Sequence, residues 1–162
     1  KRKESVLYDL VFTNGCFDIL HRGHIELLRY CKSIGKHVVV GINSDESVKS
    51  LKGPSRPYFC QEDRKLMLES LRFVNKVVIF SEPTPYNLIS KLKPSVLVKG
   101  GDYSISQIVG NDLFSKIKPD VLVKGGDYSV SQIVGNELCE VKIFNYLDGY
   151  STTNILNNIK EE

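Results

Sequence analysis

Short apolar runs recur along the chain at residues 10–13, 37–42, 76–80, in a Val-Leu-Val triplet and at 141–144, with stretches of helical spacing between them. Strands this short and this apolar are buried on both faces, and the helices between them supply the cover. The alternation therefore restricts the chain to an α/β fold on a parallel sheet with helices on both faces. A five-stranded sheet in one domain over residues 1–162 is expected, since a chain of that length buries a real core without disulfide help.

The first helix places Ile25, Leu28, Cys31 and Ile34 inward and stops at Gly35, read as its C-terminal cap. A second runs over 61–73 with Met67, Leu68, Leu71 and Val74 on one stripe. Thr84 reads as an N-cap with Pro85 in the first helical position of a helix to 92, and a last helix covers 151–159. Residues 90–113 recur at 115–138, and of the 24 aligned positions only Leu92/Ile117, Ser95/Asp120, Ile105/Val130 and Asp112/Glu137 differ. Two copies are too few for a solenoid, so the repeat reads as a duplicated strand-loop-helix unit inside a completed fold.

Chemistry concentrates in TNGCFDILHRGH, residues 13–24, where a strand feeds a helix through Asn14, Gly15 and Cys16. Such a junction aims free backbone N–H groups above the sheet and suits an anion. His21 and His24 lie at the first helical turn, within reach of one phosphate, and Gly23 is expected to leave room for a ligand between them. GxxxxGK[ST] and GxGxxG are both missing, so the usual phosphate cradles are excluded. Two imidazoles and a helix N-terminus instead serve nucleotidyl transfer, which asks mainly for positioning and charge neutralisation.

TNGCFDILHRGH, INSDESVKSLKGPSRP, VVIFSEPTP, KPDVLVKGGDY and DGYSTTNIL, in this order, resemble the HxGH nucleotidyltransferases and, among them, the heptose-1-phosphate adenylyltransferases. The resemblance covers nearly the whole chain. It implies a Rossmann-like sheet and transfer of AMP from ATP to D-glycero-D-manno-heptose 1-phosphate, giving ADP-heptose and pyrophosphate for lipopolysaccharide precursor synthesis. It also implies a homodimer and, because a sugar kinase domain precedes this one in larger members, phosphorylation of the sugar by another protein. Cytidylyltransferase relatives carry an arginine five residues before the serine of GYSTT, where this chain has Tyr146.

On these motifs His21 and His24 are the expected catalytic pair at the α-phosphate, with Lys52 of LKGPSRP as the catalytic cation for the transferred or sugar phosphate. Thr13, Asn14, Gly15, Cys16, Phe17 and Gly23 are assigned to nucleotide binding, Cys16 contributing a small buried thiol, while Asp18 braces the loop. Ser151, Thr152 and Thr153 open a helix that holds the β- and γ-phosphates. Lys49, Arg56 and Arg64 are the further phosphate cations, in a segment read as a mobile loop around Gly53, Pro54 and Pro57, though Arg64 equally suits pairing with a neighbouring acid. Lys124, Gly126, Asp127 and Tyr128 of copy two are assigned to base and ribose, with Lys99, Gly101, Asp102 and Tyr103 as the copy-one equivalents. Copy one is expected to be extruded from the sheet, because a sixth strand would shift Ser151 by about 4.8 Å and break the phosphate clamp.

Magnesium is expected on the triphosphate oxygens, with no metal-binding residue named. The net charge of +3, from 22 basic and 19 acidic side chains, suits an anionic substrate and is too small to indicate nucleic acid, so no nucleic-acid partner is expected. No apolar run approaches the length of a membrane span. Cys16, Cys31, Cys60 and Cys139 lie apart with no secretory leader, which predicts free thiols in a reducing cytoplasm, and a few residues are expected before Lys1. Two other readings stand beside this one: a cytidylyltransferase acting on glycerol 3-phosphate or a similar small phosphate, and an inactive nucleotide-binding scaffold.

Overall fold

The computed structural model describes residues 7–99, 118–125, 140–144 and 150–160. Their six strands are β1 (Tyr8–Gly15), β2 (Gly35–Asn43), β3 (Lys76–Phe80), β4 (Val96–Lys99), β5 (Val121–Gly125) and β6 (Glu140–Phe144). The five described helices are α1 (Arg22–Ile34), α2 (Asp45–Lys52), α3 (Gln61–Glu69), α4 (Tyr86–Leu92) and α5 (Thr152–Lys160). The strands form one parallel sheet in the order β3-β2-β1-β4-β5-β6. The chain leaves β1 first toward β2 and β3, then returns to its other side for β4. That reversal opens a crevice above the carboxyl ends of β1 and β4, where open α/β sheets receive ligands.

Alternation along each strand divides the core. Val11, Val38, Val40, Val96, Val98, Val121 and Val123 pack with Leu27, Leu28 and Cys31 of α1 and Leu68 of α3. Phe12, Val39, Leu97 and Leu122 pack on the opposite face with Ile89 of α4. Both faces are covered, which is why these strands read as continuous apolar runs.

The expected five strands are in fact six, since the strand segment of each repeat copy enters the sheet; the loop and helix expected after each lie outside the described residues. β4 and β5 pair in register, Val96 to Val121 through Lys99 to Lys124. Extruding either would expose three buried apolar side chains, a loss on the order of 5 kcal/mol; Val121, Leu122 and Val123 are each at most 1% exposed. The predicted break in the phosphate clamp does not follow either. Residues 150–153 line the same cavity as His21 and His24. Long side chains span the distance from β6 back to α1 and β1: the Tyr30 ring lies 5.0 Å from that of Phe144, and Lys142 Nζ lies 5.6 Å from the Tyr8 ring.

Four local readings also change. Gly35 does take the C-terminal cap of α1, its N–H donating to the Cys31 carbonyl, but in an extended conformation at φ −131° and as the first residue of β2. It is needed for space, because a Cβ there would sit 2.3 Å from Val11 Cγ2. The supposed loop carrying Lys49 and Lys52 is helix α2, capped by Ser44, whose Oγ accepts from the Ser47 N–H. α3 ends at Glu69, with Leu71 and Val74 in the turns that follow. Pro85 occupies the N-cap of α4, and no side chain caps that helix. Among the described residues no helix is long and apolar enough to cross a membrane.

Candidate active site

The turn after β1 is shaped around Phe17, which has φ 48° and is buried. A bulky side chain in the left-handed region costs about 1 kcal/mol, so its surroundings must hold it there. They do so on two sides. Its ring lies 4.9 Å from that of His24, and over Gly15 it leaves so little room that a Cβ at Gly15 would come within 3.2 Å.

Two buried groups fix the turn from outside. Asp18 accepts from Arg56 Nε and from the backbone N–H groups of Tyr58 and Phe59, and so ties its own loop to the segment 56–59. Arg64, fully buried, donates to the carbonyl oxygens of Cys16 and Phe59 and to Asp45 Oδ1. It both points inward and pairs with an acid, and it does not line the cavity. Cys16 is a packing residue: its thiol faces Asn43 Oδ1, and burial pushes it above its ordinary range. Asn43 in turn donates to Ser47 Oγ, tying the end of β2 to α2.

His21 and His24 stack with ring centroids 3.7 Å apart. Burial, and then the nearby His21 ring, lower His24 to about 3. A hydrogen bond to the Ile19 backbone acts the other way but is the weakest cause, so His24 is neutral at pH 7, one ring nitrogen carrying a proton and the other a lone pair, and its proton affinity rises when a polyanion enters. Its Nδ1 and the hydroxyl of Thr13 find no hydrogen-bond partner among the described residues. The room around Gly23 is already filled, in contrast to the expected gap for ligand. A Cβ there would meet the His21 ring at 3.0 Å and the Tyr150 carbonyl at 3.5 Å, so this glycine lets the two helix starts touch.

α1 and α5 both begin on the wall of a cavity of about 240 Å³. Ser151 Oγ accepts from the Asn154 N–H and keeps its own proton to donate. Of the sequence candidates, the cavity gathers Asn14, Gly15, Cys16, Phe17, His21 and His24 from the β1 turn and the start of α1, Ser151, Thr152 and Thr153 from the start of α5, and Lys52 and Arg56. Thr13, Gly23, Lys49, Arg64 and Lys99 do not line it. Lys49 is exposed on α2, and Lys99 is buried at the end of β4, where its Nζ donates to Asn14 Oδ1. Lys124 is the penultimate residue of β5, paired with Lys99, whereas Gly101, Asp102, Tyr103, Gly126, Asp127 and Tyr128 lie outside the described residues.

Sequence reasoning passed over Leu27 and Tyr150, which also line the cavity. Tyr150 stood inside GYSTT, and its exposed ring lies under the Arg22 guanidinium. Among the described residues no group of three His, Cys, Asp or Glu is placed to hold a metal ion, and Cys16, Cys31 and Cys60 are free thiols. Cys139 and Tyr146 lie outside those residues.

Comparison with known proteins gives concordant matches. A family model described as cytidylyltransferase-like matches residues 12–160. The bifunctional protein HldE of Campylobacter fetus is 49% identical over 151 residues, which cover 93% of this chain and 28% of that protein. The HldE protein of Sulfurimonas denitrificans is 44% identical over 160 residues, 99% of this chain and 28% of that one. The chain thus spans little more than a quarter of the length of the curated relatives it matches. The crystal structure of the lipopolysaccharide core biosynthesis protein from Thermoplasma volcanium is similar at TM-score 0.59 and 26% identity, covering 89% of this chain and 99% of that one.

Proposed function

The chain belongs to the cytidylyltransferase-like family, and from that premise we propose that it transfers AMP from ATP to heptose 1-phosphate, forming ADP-heptose and releasing pyrophosphate. One observation carries the reading: the stacked His21 and His24 share the wall of a single cavity with Ser151, Thr152 and Thr153, and Lys52 and Arg56 line it too. A phosphate oxygen of the acceptor attacks the α-phosphorus of ATP, and the bond to the bridging oxygen of pyrophosphate breaks. His21 and His24 donate to the α-phosphoryl oxygens, where charge builds in the transition state. Ser151, Thr152 and Thr153, with the N-terminus of α5, hold the β- and γ-phosphates, and Lys52 takes the acceptor phosphate.

Magnesium fits this arrangement as an ion carried by the triphosphate. The carboxylate in the cavity wall, Asp18, is committed to Arg56, Tyr58 and Phe59. Phosphate oxygens and water then supply its ligands. ATP and the sugar phosphate are the partners in this reading, a homodimer is its assembly and the reducing cytoplasm its compartment.

The nucleotide and acceptor decide it. With pyrophosphate as readout, ATP plus heptose 1-phosphate should exceed CTP plus the same acceptor in kcat/KM by at least about tenfold, a gap of roughly 1.4 kcal/mol. Preference for CTP with glycerol 3-phosphate would transfer the site to the cytidylyl reading, and ATP binding with no pyrophosphate would make it a scaffold.

A further inference from the structure

The repeat gives this chain two copies of one strand end, and only one of them adjoins β1. Val96, Leu97 and Val98 of β4 pair with Val11, Phe12 and Thr13. The next residue on each strand, Lys99 and Asn14, therefore comes side by side at the mouth of the crevice. Lys99 Nζ donates to Asn14 Oδ1; Lys99 is 5% exposed, and Asn14 lines the cavity. Lys124, the identical residue of copy two, stands on β5 and is paired with Lys99, one strand farther from β1.

We propose that copy one serves the nucleotide site, and that Lys99 is a positioning residue which fixes the Asn14 carboxamide so that its NH2 group is presented to the triphosphate. The chemistry follows from the inventory of donors. An ammonium donates three hydrogen bonds and accepts none, so the amide oxygen of Asn14 must face Lys99. The NH2 arm is then left for the cavity, where phosphate oxygens need donors. Without Lys99 the carboxamide is free to turn its oxygen toward the anion. Copy two is a spacer in the sheet on this account, and the expectation that copy two supplies the site is reversed.

This inference rests on the nucleotide-binding reading but is tested apart from it. Deletion cannot choose between the copies: removing 90–114 or 115–139 leaves chains that differ only at the four repeat substitutions and at Phe114 or Cys139. Point variants can choose. In full-length protein labelled with ¹⁵N, the Asn14 side-chain amide signal, identified by its loss in Asn14→Asp, should move in Lys99→Met and stay in place in Lys124→Met, with no nucleotide present. In turnover with ATP, Lys99→Met should lower kcat/KM at least about tenfold and Lys124→Met by less than about twofold. The double variant Lys99→Met/Asn14→Ala should lose no more than Asn14→Ala alone, as expected of a residue acting through another. Lys99→Gln replaces Lys99→Met if the latter does not fold. Equal or reversed ranking of the two lysines, an unmoved Asn14 amide or additive losses would overturn the proposal. Absence of ADP-heptose from the wild-type protein, with the Asn14 signal moving as described, would instead count against the reaction alone.

Discussion

His24 is a base held neutral by its surroundings, and that state leaves a mark on stability. In the unfolded chain it takes up a proton near pH 6.5, whereas in the folded protein it does so only near about 3. Between those values the unfolded state binds the extra proton. The stability contributed by neutral His24 is therefore complete above about pH 6.5 and is lost as pH falls toward about 3. Urea denaturation without nucleotide should show wild type losing stability faster than His24→Gln as pH is lowered from about 7 to about 4; parallel curves would show that His24 is not held neutral. Catalytically, His21→Ala and His24→Ala should each reduce turnover by roughly 10²- to 10³-fold and leave ATP affinity within a few-fold, since both donors act on charge that develops during transfer. Near-normal turnover in both would remove them from the mechanism. These residues were legible because HxGH is a local pattern. The roles of Gly23 and Arg64 were not, since what fills the space beside Gly23 comes from Tyr150 and what Arg64 holds comes from Cys16, 48 residues away.

At the level of elements, the strands were readable because burial on both faces leaves an unbroken apolar run, as in β2 and β3. Helix α2 was hidden by its composition: Asp45–Lys52 buries only Ser47 and Val48, so it shows little apolar period, and the neighbouring Gly53 and Pro54 suggested a loop. The Ser44 cap, with Asp45 and Glu46 in the first turn, was the available signal. α3 is tied to the turn after β1 through Arg64, and that tie predicts a cost. Arg64→Met should destabilise the protein by roughly 2–4 kcal/mol, because it leaves the Cys16 carbonyl and the Asp45 carboxylate without their donor. A shift in urea midpoint worth less than about 1 kcal/mol would mean that α3 does not anchor the turn.

For the molecule as a whole, the repeat was plain in the sequence but its consequence was not. Local pattern gives strand identity, whereas the place of a strand in a sheet depends on twist and on contacts such as Tyr30 with Phe144. With both copies in the sheet, removal of either 25-residue stretch should yield a folded five-stranded protein, and the two deletion products should have activities within about threefold of each other. A large difference between them would show that the four repeat substitutions or the Phe114/Cys139 difference, rather than strand position, distinguish the copies. The central claim is that His21, His24 and the Ser151 turn form one site for adenylyl transfer, and the fate of the α-phosphorus tests it most directly. When the protein is given ATP labelled at the α-phosphate together with heptose 1-phosphate, the label should appear in ADP-heptose, with unlabelled pyrophosphate released in equal amount. Label recovered in free AMP, or remaining in ATP at saturating acceptor, would contradict the account.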